Sequence, residues 1–96
     1  MTESYIQKVI AKKLRKAGYL VTTMPAPAGW PDIRAFGASR TILIEVKREG
    51  KEPSELQSVL MKKFYDLGYE VYVMDDTKAI DSVIRMSIND VLKLRN

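Results

Sequence analysis

The chain predicts an α/β fold, an αβββαβ order around a central mixed four-stranded sheet flanked by helices. Residues 3–17 and 54–67 repeat apolar side chains at helical spacing. Four short segments, 19–24, 32–36, 41–48 and 69–74, are rich in β-branched and aromatic residues. The helix at 54–67 separates the last two strands, and a crossover of that kind makes them parallel.

Each element has a local cause. In the first helix Ile6, Val9, Ile10, Leu14 and Ala17 share a face, with Thr2 placed to cap its start and Gly18 to stop it. Pro25-Ala-Pro-Ala-Gly-Trp-Pro31 has too many prolines for regular structure and must be a loop. Asp32 opens the next strand, and Gly37–Ser39 turns the chain. Ile42, Leu43, Ile44 and Val46 make a near-continuous apolar run, the mark of a strand covered on both faces and central in its sheet. Leu56, Val59, Leu60, Phe64 and Leu67 are expected to be the buried stripe of the second helix. Two short helices follow, near 77–84 and 87–94, the latter with Ser87 and Asn89-Asp90 as capping groups.

Composition closes off several chemistries. The 96 residues fit one domain and contain no cysteine, so disulfide scaffolds, thiolate catalysis and cysteine-bound zinc are excluded. Histidine is absent too, which removes Ser-His-Asp chemistry and imidazole-ligated metal. No apolar stretch reaches membrane-spanning length and the N-terminus is no signal peptide, so a cytoplasmic location is expected. The net charge of +4 mildly favours an anionic partner. Its distribution says more: Lys8, Lys12, Lys13, Arg15 and Lys16 fall in one segment, and Lys47, Arg48 and Lys51 flank the apolar strand. A solvated helix face explains the first group equally well.

The acids around that strand carry the chemistry. Strand side chains alternate, so Glu45 and Lys47 project from the same face. An unpaired carboxylate is costly in a buried strand, which favours a functional use for Glu45. If Asp32 lies on the neighbouring strand, two carboxylates and an ammonium group converge. Oxygen donors of that kind suit Mg²⁺ or Mn²⁺, with water completing the shell. Glu3, in the first turn of helix one, either complements the helix dipole or adds a third acid. Gln57 fits a capping box with Ser54 or faces the site, two uses that compete for one side chain. Trp30 either packs or stacks on a base.

Gly29-x-Pro31-Asp32, Ile44-Glu45-Val46-Lys47, Ser54-x-x-Gln57 and Gly68 together resemble the VRR-NUC domain, a branch of the PD-(D/E)XK nuclease superfamily. The resemblance covers nearly all of residues 1–96, read as a single nuclease domain of the stand-alone bacterial and phage type with a restriction-endonuclease-like core. It implies a Mg²⁺/Mn²⁺-dependent endodeoxyribonuclease. Asp32, Glu45 and the Val46 carbonyl would hold the metal, Lys47 would assist the attacking water, and Gln57 and Glu3 would match the family's helix glutamine and N-terminal acid. It also implies a homodimer acting on branched DNA, including four-way Holliday junctions. Lys12, Lys16, Trp30, Arg48 and Lys51 are the candidate DNA contacts. Ile80, Val83, Ile84, Ile88, Val91 and Leu92 exceed what one small core needs and are expected at the dimer surface. Two rival readings are a non-catalytic nucleic-acid-binding module and a repair or restriction-like nuclease acting on flaps or duplex DNA.

Overall fold

The computed structural model describes residues 1–95. Helix α1 (Glu3–Lys16) leads into strands β1 (Leu20–Thr22), β2 (Ile33–Phe36) and β3 (Thr41–Val46). Helix α2 (Glu55–Asp66), strand β4 (Glu70–Met74) and helices α3 (Ala79–Arg85) and α4 (Ile88–Leu94) complete the order. The strands lie β1-β2-β3-β4, the first two pairings antiparallel and β3–β4 parallel. The mixed sheet expected from the crossover is therefore present, with β3 interior and buried along almost its whole length. Thr2 caps α1 by accepting from Tyr5 N.

The core lies on one side of the sheet. Ile6, Ile10 and Leu14 of α1 pack on Ile33 and Ala35 of β2 and on Ile42, Ile44 and Val46 of β3. Each of the three α1 side chains is fully buried, a contribution of about 2 kcal/mol apiece. Ile80 and Val83 of α3 close this same core, and Ile84 packs against it. Val91 of α4 is buried as well. These residues are consumed by the chain's own packing, which corrects their expected place at a dimer surface; of that group only Leu92 is largely exposed.

The opposite side of the sheet is covered less completely. No residue of α2 is fully buried: Leu60 and Phe64 are half-buried, whereas Leu56, Val59 and Leu67 are exposed. The helix forms where its periodicity placed it, but its apolar stripe is wider than the surface available to it. Leu20 and Phe36, cross-strand neighbours at the β1–β2 edge, are also exposed.

One polar cluster fastens the far end of the fold. Arg40 forms a two-pronged pair with Glu70 at 2.7 Å for each bond. It also donates to the carbonyls of Val83 (2.9 Å) and Met86 (2.8 Å), tying the β3 entrance and β4 to the end of α3. The Tyr72 hydroxyl donates to Glu70 at 2.7 Å.

Candidate active site

The site is built by the proline loop, the end of β3 and the start of α2. Gly29 has φ +86°, a left-handed conformation that glycine alone adopts freely, and a Cβ there would come 2.7 Å from Leu56 Cγ and 2.8 Å from Leu60 Cδ1. Only glycine therefore lets the loop lie flat on α2. Trp30 then sets its ring edge-on to Phe64, with centroids 5.0 Å apart, and stays partly exposed. Pro31 is buried. This fixed approach delivers Asp32 to the end of β3, where its Oδ2 accepts a 2.9 Å bond from Val46 N.

Glu45 is the centre of the arrangement. It is 2% exposed, and its Oε1 is buried with no hydrogen-bond partner among the described residues. Its Oε2 accepts from Gln57 Nε2 at 2.9 Å and lies 3.5 Å from Lys47 Nζ. Burial pushes the carboxyl up to about 7, the neighbouring Asp32 charge pushes the same way, and the Lys47 ammonium offsets part of both. The pair is thus short of positive charge, and one of its oxygens is short of a partner.

Gln57 serves two masters at once, contrary to the expectation that its uses compete. Its Oε1 accepts from Ser54 N at 2.8 Å while Ser54 Oγ accepts from Gln57 N at 3.2 Å, a complete capping box. Because Ser54 N can only donate, the oxygen must face it, so the amide nitrogen faces Glu45. Substitution separates the roles. Gln57→Glu keeps an oxygen for the cap but points a second carboxylate at Glu45, and is expected to lower activity at least about tenfold with the melting temperature within a few degrees of wild type. Gln57→Ala is expected to lower both, losing about 1 kcal/mol through the cap. Thermal unfolding reads the cap, and a functional assay reads the site.

Glu3 lies at this end of β3 but does not complete a cluster of three acids among the described residues. Its Oε2 accepts from Arg48 N at 3.1 Å, so it anchors the chain leaving β3 to the first turn of α1. The basic residues separate into different uses. Lys13 donates to Thr77 O at 2.7 Å and pairs with Asp81 at 3.0 Å, a structural tie to α3. Lys12 and Lys16 on α1, and Arg48 and Lys51 after β3, are exposed. Two further residues, Gln7 and Arg34, stand beside the site. Both line a cleft with Asp32 and Gln57. Arg34 was legible as the residue sharing Asp32's strand face two positions on; Gln7 had no such signal.

The donor set fits a hard divalent cation. Two carboxylates stand together, one with a buried oxygen that nothing in the chain satisfies, and Mg²⁺ or Mn²⁺ takes such oxygens with carbonyl and water ligands making up the shell. Val46, the third expected ligand through its carbonyl, is tied to the site through its amide, which donates to Asp32.

No family model and no curated protein matches the sequence. Solved structures do. A VRR_NUC domain is similar to this chain at a TM-score of 0.75 and 26% identity, over 85% of this chain and 92% of its own. A VRR_NUC domain protein is similar in fold at a TM-score of 0.74 and 21% identity, over 93% of this chain and 89% of its own. No helix among the described residues is long and apolar enough to cross a membrane.

Proposed function

From the VRR_NUC domain fold of this chain, that of a nuclease-like domain acting on nucleic acid, we propose a Mg²⁺/Mn²⁺-dependent endonuclease that hydrolyses DNA phosphodiester bonds. The observation that carries the reading is the buried, unpartnered oxygen of Glu45 beside Asp32, an acceptor that an entering cation would satisfy. The bound cation would neutralise the non-bridging phosphate oxygen and lower the pKa of the attacking water.

The chain's own groups do the rest. Asp32 is held by Val46 N, and Glu45 by Gln57, so both carboxylates keep their aim without substrate. Lys47 sits on the same strand face as Glu45, where its ammonium orients water and opposes the negative charge developing on the phosphate oxygens. The exposed Arg48 and Lys51 after β3, with Lys12 and Lys16 on α1, favour the backbone of a DNA strand.

Four-way junctions as substrate and a homodimer as the working form complete the proposal. The largely apolar groove lined by Trp30, Phe36, Leu43, Phe64 and Tyr69, with Arg34 and Thr41 also on its walls and Leu20 and Leu56 exposed, supports pairing of two copies across this flank. Two-fold pairing suits a two-fold symmetric junction.

Purified protein with a supercoiled plasmid and synthetic junction, flap and duplex substrates, in Mn²⁺, Mg²⁺ or EDTA, tests the proposal. Cutting that needs metal, prefers the junction and falls at least about 100-fold in Lys47→Ala is expected. Sedimentation of the same preparations is expected to give a dimer. Binding without cutting in every metal would overturn the enzymatic reading, and equal cutting of linear duplex would overturn the junction preference.

A further inference from the structure

The chain buries two arginines to the same depth, each 8% exposed, and treats them differently. Arg40 is neutralised by Glu70. Arg34 has no carboxylate within ion-pair distance among the described residues. Its Nη1 donates to Pro31 O at 2.7 Å and its Nη2 donates to Met24 O, so the guanidinium spans the two ends of the proline loop. A guanidinium carries five N–H donors in a flat fork, and these two bonds leave the remainder unassigned. Carbonyl dipoles hold such a group in place without cancelling its charge.

Arg34 lines a cleft of about 350 Å³ under the loop, shared with Gln7, Thr23, Asp32 and Gln57. Asp32 is the other charged wall, and in the proposed reading its charge is taken by the cation. What is left facing the cleft is an uncompensated cation, the Gln7 amide and the Thr23 hydroxyl. That is a surface for an anion with hydrogen-bonding oxygens, continuous with the site where a phosphodiester would be cut.

We propose that this cleft is a second phosphate subsite, in which Arg34 binds a backbone phosphate of the strand neighbouring the scissile one. The proposal rests on the nuclease reading for the identity of the strand. In it Arg34 has two roles, closing the loop through the carbonyls of Met24 and Pro31 and presenting its remaining donors to the substrate. The incoming phosphate supplies the counter-charge that the fold omits.

Binding of a fluorescent junction, followed by anisotropy in Ca²⁺ across a salt series, tests this independently of cutting. Arg34→Gln is expected to weaken binding about tenfold and to reduce the slope of log K against log salt by about 0.9, one phosphate contact. Because that variant also releases the loop, Thr23→Glu is the second arm. It leaves both carbonyl bonds of Arg34 in place and sets a carboxylate in the cleft, and is expected to lose the same slope and affinity at an unchanged melting temperature. Wild-type slope and affinity in a folded Arg34→Gln, or in Thr23→Glu, would overturn the subsite. Absence of cleavage in every metal would instead sink the nuclease reading, which the binding slope does not measure.

Discussion

Glu45→Gln is expected to reduce metal-dependent cleavage about 10³-fold or more and, in the same protein, to stabilise the metal-free fold at pH 8. The two effects have one cause. Glu45 is buried beside Asp32, so its folded pKa stands near 7 rather than at the ordinary 4.5. A carboxyl raised on folding is protonated in the folded state where the unfolded chain has already ionised. Its stabilising contribution is whole below pH 4.5, declines as pH rises, and is gone above about 7. The difference amounts to about 3 kcal/mol. Urea unfolding at pH 5 and pH 8 is expected to show this loss in the wild type without metal and not in Glu45→Gln. Because the cation competes with the same proton, its affinity is expected to fall up to about tenfold per pH unit below 7. A metal affinity indifferent to pH between 5.5 and 7 would count against this assignment.

Arg40→Ala is expected to be the most damaging single change to stability. It removes both bonds to Glu70 and leaves that carboxylate buried, while the carbonyls of Val83 and Met86 lose their donor. Removing one partner of a buried pair costs about 3–5 kcal/mol, which for a domain of this size lowers the melting temperature by about 15 °C or more. The double change Arg40→Met, Glu70→Leu is expected to recover most of this, since no charge is then stranded. Failure of the double change to recover stability would show that the carbonyl ties to α3, not the stranded charge, dominate. Burial, followed by the hydrogen bond to Glu70, pushes the Tyr72 hydroxyl well above its ordinary pKa, so it remains a donor across the working range.

Much of this molecule was readable from local rules. Among the described residues, three of the four helices are capped by Thr2, Ser54 and Ser87, as their hydroxyls foretold, and the last two of these form full capping boxes. The apolar run of β3 marks the sheet interior because a strand covered on both faces needs no alternation. Alternation also places Glu45 and Lys47 on one face, and their 3.5 Å separation follows from that. What escaped depended on which surfaces meet. The stripe of α2 has the period of a buried helix, yet periodicity does not say how much sheet lies beneath it, and Leu56, Val59 and Leu67 remain exposed. Ile80 and Val83 were counted as surplus because nothing local shows that α3 folds back onto α1. The two uses of Gln57 compete only if its side chain acts as one group, whereas its amide has two ends of opposite hydrogen-bonding character. The role of Arg34 has no local sign, since the loop it closes is defined only once Met24 and Pro31 come together.

Asp32 and Glu45 are proposed to grip one cation. Crystals soaked in Mn²⁺ and measured at the manganese absorption edge test it most directly. The expected result is an anomalous peak about 2.0–2.3 Å from an oxygen of each carboxylate, with Glu45 Oε1 among its ligands and Lys47 Nζ outside the shell. A peak that engages neither side chain, in crystals of protein that cuts DNA with Mn²⁺, would contradict it.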